Sequence, residues 1–132
     1  MDLTSNDMKR VLVIEDDLAT ARCLGWLIND LGYKFIQSPF MLTPKEIIKI
    51  NPDIIILDFY LPNGHGDDLC LQLKENSLTK EIPVILVSIR SDLANIAKSC
   101  FADGYLEKPF NYDKLVQMLS KFCDGPLVSF AD

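Results

Sequence analysis

Short runs of consecutive apolar residues alternate along this chain with stretches in which apolar residues recur every three or four positions. Val11–Ile14, Ile54–Leu57 and Val84–Val87 are continuous and rich in β-branched residues, the pattern of strands buried on both faces. Tyr33–Ile36 is less apolar and predicts an edge strand, and Tyr105–Leu106 predicts a brief fifth one. Between them, Leu24, Leu27, Ile28 and Leu31 share one face of a helix over 18–31, stopped by Gly32. Thr43-Pro44-Lys45-Glu46 opens a second helix with a capping box and a proline at the first helical position. A third helix follows over about 67–76. Leu93, Ile96, Ala97 and Cys100 mark a fourth, and Leu115, Met118, Leu119 and Phe122 a fifth, with Asn111 as its N-cap.

The alternation is strand–helix repeated five times. It predicts an α/β fold, (βα)5, with a doubly wound parallel five-stranded sheet covered on both faces by right-handed crossovers. A chain of 132 residues is one domain, here residues 9–123, with a polar, flexible N-terminus over 1–8 and a tail over 124–132. Charge narrows the partners. Thirteen Lys and Arg against nineteen Asp and Glu give a net charge of −6, which disfavours nucleic acid and anionic membranes. The apolar runs are far shorter than the roughly 20 residues needed to span a bilayer. Four cysteines without a CxxC pair, and one histidine, argue against a zinc site. With no signal peptide at the start, the expectation is a cytoplasmic protein with reduced thiols used as small apolar residues.

Function in an open parallel sheet collects beyond the carboxyl ends of the strands. Each apolar run here opens onto polar residues: Glu15-Asp16-Asp17, Asp58, Ser88, and Glu107-Lys108-Pro109. If the first and third strands are neighbours, Glu15, Asp16 and Asp58 converge. Gathered carboxylates raise one another's pKa unless a cation intervenes, and a few oxygen ligands with room for water suit Mg²⁺. The competing reading is a solvated acidic turn at the start of the first helix, a role that suits Asp17 as its cap. Lys108, following the last strand, can reach the same rim; its bond to Pro109 is one that can be cis, and Ser88 adds a hydroxyl. Three carboxylates, a hydroxyl and an ammonium suit phosphoryl transfer onto a carboxylate.

At VLVIEDD (11–17), DIIILDFYLPNGHG (53–66), PVILVS (83–88) and ADGYLEKPF (102–110), the chain resembles the receiver domain of two-component response regulators. The resemblance implies the flavodoxin-like strand order 2-1-3-4-5. It implies that Asp58 is the phosphoacceptor, that Glu15 and Asp16 bind Mg²⁺, and that the backbone carbonyl of Tyr60 is a further metal ligand. Ser88 and Tyr105 then stand at the switch positions, and Lys108 pairs with the phosphoryl group. The implied partners are a sensor histidine kinase or a histidine phosphotransfer protein, docking beside the first helix near Thr20 and Arg22, and a downstream protein. The latter would read the surface of the fourth helix, fifth strand and fifth helix, through which the chain would be a monomer or a weak homodimer. Such a protein turns over no external substrate. The residues after 123 are too few and too little basic for a helix-turn-helix, so no direct binding of nucleic acid is expected.

Three departures from the family pattern stand out. Ile89 follows Ser88 where a small residue is usual, and narrows access to Asp58. Phe101 stands where a glycine commonly ends the fourth helix. Tyr60 and Arg90 are both large at positions that tune phosphoryl lifetime, which predicts slow hydrolysis. The alternative function is a phosphate-independent, receiver-like docking module. Other residues have plainer readings: His65 as an exposed turn residue or helix cap, Trp26 at the polar side or edge of the first helix, and Cys100 and Cys123 as thiols near the signalling face.

Overall fold

The computed structural model describes residues 8–124. The expectations for the N-terminus and the tail lie outside these residues, apart from Met8 and Asp124. Five strands, β1 (Arg10–Ile14), β2 (Lys34–Ser38), β3 (Ile54–Asp58), β4 (Val84–Ser88) and β5 (Gly104–Glu107), form one parallel sheet. Their order is β2-β1-β3-β4-β5, the doubly wound, flavodoxin-like arrangement expected. The helices are α1 (Leu18–Asp30), α2 (Pro44–Ile50), α3 (Gly66–Glu75), α4 (Leu93–Ser99) and α5 (Tyr112–Leu119). Between β3 and α3, Tyr60–Leu61 pairs antiparallel with Gly64–His65 in a small hairpin that the turn-rich sequence did not predict.

Side chains alternate across the sheet and build two cores. Val11, Val13, Ile54, Ile56, Ile85 and Val87 pack against Leu24 and Ile28 of α1 and Leu115 and Leu119 of α5. Leu12, Ile14, Ile55, Leu57, Val84 and Leu86 pack against Ile47, Leu69, Leu73, Leu93 and Ala97 of the other three helices. Each fully buried aliphatic side chain contributes roughly 1.5–3 kcal/mol, and those of Ile54–Leu57 are at most 2% exposed. That is why the three apolar runs read as continuous.

Caps set the helix ends. Asp17 accepts from the Thr20 backbone N–H and hydroxyl, and Thr43 and Glu46 form the capping box. Asn111 accepts from Lys114 N–H at 3.0 Å. Two helices end alike. In α1, Tyr33 N–H donates to Ile28 C=O and Gly32 N–H to Asn29 C=O; in α4, Ala102 N–H donates to Ala97 C=O and Phe101 N–H to Lys98 C=O. These are Schellman motifs, which place one residue in the left-handed region. Gly32 fills it at φ 94°, Phe101 at φ 63°.

Three local expectations shift. β2 runs to Ser38 because its register follows the whole of β1, from Arg10↔Lys34 to Ile14↔Ser38. In α1, Leu27 and Leu31 are only half-buried, and Gly25 faces inward instead, since a Cβ there would stand 2.5 Å from the Phe35 ring. The last helix is α only to Leu119, and a π turn, Ser120–Asp124, then brings the Asp124 carboxylate to the Tyr33 hydroxyl at 2.8 Å. Trp26 is 68% exposed. Cys70, Cys100 and Cys123 are buried free thiols as expected, whereas Cys23 is exposed. Among the described residues, no helix is long and apolar enough to cross a membrane.

Candidate functional site

Sheet register carries the polar residues to one rim. Ile14 pairs with Leu57, so Glu15 stands next to Asp58 at the ends of β1 and β3. Backbone hydrogen bonds continue past the strand ends, with Glu15 N–H donating to Ser38 C=O, Phe59 N–H to Val87 C=O and Lys108 N–H to Ser88 C=O. Glu15, Asp16, Asp17, Asp58, Tyr60, Ser88, Ile89 and Lys108 thus line one open cleft of about 280 Å³.

Glu15, Asp58 and Ser88 are buried, and Asp16 is exposed. One carboxylate oxygen from each of Glu15, Asp16 and Asp58 lies within 4.8 Å of the others. Lys108, which directly follows β5 and precedes a cis bond to Pro109, lies 2.8 Å from Glu15 and 3.5 Å from Asp58. Burial pushes the Asp58 carboxyl up, hydrogen bonding to Glu15 and its charge push the same way, and Lys108 only partly opposes them; the result is about 7. Burial lowers Lys108, but the Glu15 hydrogen bond and the two carboxylate charges outweigh it, so the ammonium is held above its usual value. Three carboxylates face a single ammonium here. An all-oxygen donor set of this kind, short of positive charge, fits a hard divalent cation.

Two neighbours shape the cleft from outside. Gly66, the first residue of α3, sits against Asp58; a Cβ there would come within 2.3 Å of the Asp58 carbonyl oxygen. Opposite, Arg90 donates to Asp92 through Nε and Nη2, each at 2.8 Å, and through Nη1 to the Tyr60 hydroxyl at 3.0 Å. Its guanidinium lies 5.2 Å from the centre of the Phe59 ring, on which His65 also stacks. The Ser88 hydroxyl accepts from Arg90 N–H at 3.2 Å. Gln37 donates to the Glu15 carbonyl at 3.1 Å.

The structure brings together six of the seven residues singled out from sequence. The seventh, Tyr105, stands apart on the edge strand, 41% exposed. Ile89 lines the cleft and is 75% exposed. His65 is exposed at the N-cap of α3 and makes no capping hydrogen bond. Sequence reasoning missed Gly66, Phe59, Asp92 and Gln37. Gly66 had a signal, a glycine immediately after a turn and before a helix; the others depend on cross-element contacts.

Beside the cleft, α1 and α5 enclose a larger apolar groove of about 530 Å³, lined among others by Thr20, Cys23, Leu27, Phe110 and Tyr112.

Residues 11–120 match the family model of the response regulator receiver domain, so this chain belongs to that family, the receivers of two-component systems. It is 28% identical over 111 residues to the phosphate regulon transcriptional regulatory protein PhoB of Escherichia coli, covering 82% of this chain and 48% of that protein. It is 32% identical over 136 residues to the KDP operon transcriptional regulatory protein KdpE of the same organism, covering 95% and 59%. The chain therefore spans about half the length of the curated relatives it matches. Among solved structures, a putative response regulator from Chloroflexus aurantiacus aligns with TM-score 0.77 and 26% identity, over 87% of this chain and 97% of that one. The receiver domain of a signal transduction histidine kinase from Syntrophus aciditrophicus aligns with TM-score 0.74 and 27% identity, over 94% and 99%.

Proposed function

We propose that this chain is a phosphoacceptor switch in which Asp58 takes a phosphoryl group from a phosphohistidine of a sensor kinase or histidine phosphotransfer protein. The observation that carries this reading is the setting of Asp58: buried at the end of β3, beside two further carboxylates, with the Lys108 ammonium 3.5 Å away. An Asp58 oxygen attacks phosphorus, the P–N bond breaks, and the imidazole nitrogen leaves and takes a proton. Lys108 stabilises the new phosphoryl oxygens, and the Ser88 hydroxyl turns from accepting the Arg90 N–H to donating to them. Glu15, Asp16 and Asp58, with the backbone carbonyl of Tyr60, would hold Mg²⁺. Bound there, it favours the ionised form of Asp58 and offsets charge on the transferring group.

Displacement of Ser88 and inward rotation of Tyr105 then bias the surface of α4, β5 and α5 toward a downstream protein partner. The kinase side docks on α1, where the apolar groove adjoins Lys108. The chain acts in the cytoplasm as residues 9–123 of a switch that turns over no external substrate.

The test is intact mass after incubation with acetyl phosphate, with Mg²⁺ or chelator, beside Asp58→Asn. The expected result is one phosphoryl adduct that requires Mg²⁺ and is lost in the variant. An adduct that persists in Asp58→Asn overturns the assignment. No adduct from acetyl phosphate or from phosphohistidine donors, with unchanged partner binding in Asp58→Asn, would establish the phosphate-independent docking module instead.

A further inference from the structure

Asp92 precedes the first residue of α4, where a carboxylate ordinarily accepts the free N–H groups of the first turn. Its side chain makes no such bond; its backbone stands at φ −98° and ψ 20° rather than in the extended conformation of a capping residue, and Asn95 N–H already donates to the Asp92 carbonyl at 3.1 Å. Both of its oxygens are occupied by Arg90, Oδ1 by Nε and Oδ2 by Nη2, each at 2.8 Å. The same guanidinium reaches the Tyr60 hydroxyl at 3.0 Å and lies 5.2 Å from the centre of the Phe59 ring. Phe59 and Tyr60 directly follow Asp58, and Tyr60 lines the cleft. The Arg90 backbone N–H, in turn, is bonded to the Ser88 hydroxyl.

One carboxylate therefore has two uses that exclude each other. We propose that Asp92 is a two-position residue coupling the cleft to α4: gripping Arg90, it holds the guanidinium against Tyr60 and leaves the helix without a side-chain cap; released, with its backbone turned to the extended conformation, it caps the Ala94 N–H. The side chains of Arg90 and Asp92 are 37% and 47% exposed. An exposed ion pair and an N-cap are each weak and of comparable strength, so a modest change in charge shifts the balance between them. A phosphoryl dianion on Asp58 is such a change, because it competes with Asp92 for Arg90. This consequence rests on the switch reading above; the competition between the two uses of Asp92 does not.

Amide hydrogen exchange on the full chain tests both parts. In protein never exposed to a phosphodonor, Arg90→Ala frees the carboxylate, and the Ala94 amide is expected to exchange about fivefold more slowly, the effect of an ordinary cap. The double variant Arg90→Ala/Asp92→Ala loses that gain. Unchanged or faster exchange in Arg90→Ala overturns the proposal, since a purely structural Arg90 would leave the helix looser when removed. In wild type treated with acetyl phosphate and Mg²⁺, intact mass reports the adduct independently. An adduct with slower exchange at the same amide, absent in Asp92→Ala, supports the coupling; an adduct without it rejects the coupling. Absence of any adduct counts against Asp58 as acceptor and leaves the unphosphorylated comparison to decide the role of Asp92.

Discussion

Lys108 stands closer to Glu15, at 2.8 Å, than to Asp58, at 3.5 Å. Glu15 is buried and Lys108 is about one-fifth exposed, so the pair is largely withdrawn from water. Removing the ammonium leaves a buried carboxylate cluster uncompensated. Lys108→Ala is expected to lose on the order of 2 kcal/mol of stability in chelator, less than a fully buried pair would lose. Millimolar Mg²⁺ should recover part of it, and should raise the melting temperature of the variant more than that of the wild type. Equal Mg²⁺ shifts in the two proteins would contradict this charge balance.

Gly66 offers a different handle on the same site. Its missing Cβ makes room for the Asp58 carbonyl, which is backbone and cannot swing aside. Gly66→Ala should destabilise by about 2 kcal/mol through overpacking. It should also slow adduct formation at Asp58 by about tenfold or more, because a small misplacement of the reacting group is costly. Stopped mass spectrometry and urea unfolding measure the two effects separately.

Phe101 adopts φ 63° at the end of α4, a position that Gly32 fills at the end of α1. Its side chain is 66% exposed, so it gains little burial in return. Relief of the left-handed strain, less the extra freedom glycine gives the unfolded chain, predicts a gain of roughly 0.5–1 kcal/mol for Phe101→Gly. Thermal unfolding should show a rise of a few degrees; a fall would mean that the ring makes contacts worth more than the strain.

Glu46 makes the start of α2 sensitive to acid. Hydrogen bonds from the Thr43 backbone N–H and hydroxyl hold its carboxyl below the usual glutamate value. A lowered folded pKa means stability that is fully present above the unfolded value, about 4.3, and is lost as pH falls through the folded one. Glu46→Gln should therefore be less stable than wild type at pH 7. The difference should shrink as pH falls below about 4. A difference that stays constant down to pH 2 would remove the carboxylate's charge from the explanation.

Tyr60 forms one side of the cleft and is tied to Arg90 through its hydroxyl. Tyr60→Asn opens that side to water. The phosphorylated half-life of the variant should fall several-fold relative to wild type, and an unchanged half-life would end the idea that bulk at this position slows hydrolysis.

Much of this molecule is legible along the chain because its central strands are buried on both faces. Val11–Ile14, Ile54–Leu57 and Val84–Val87 need apolar residues at every position, so their runs are unmistakable, and polar residues mark where each run ends. The helix starts at Thr43 and Asn111 are equally local, since a cap acts on an N–H three residues away. The acidic residues, Ser88 and Lys108 were visible as candidates because each closes a strand or follows one. Their distances were not, because register between strands far apart in sequence sets them. The pairing Ile14↔Leu57 brings Glu15 to Asp58, and Ser88↔Glu107 brings Lys108 to the same rim. The grip of Asp92 on Arg90, the fit of Gly66 against Asp58 and the outward stance of Tyr105 were hidden for the same reason. Local pattern reports whether a side chain is buried; which groups meet, and which of two possible partners a carboxylate takes, is decided by packing between elements.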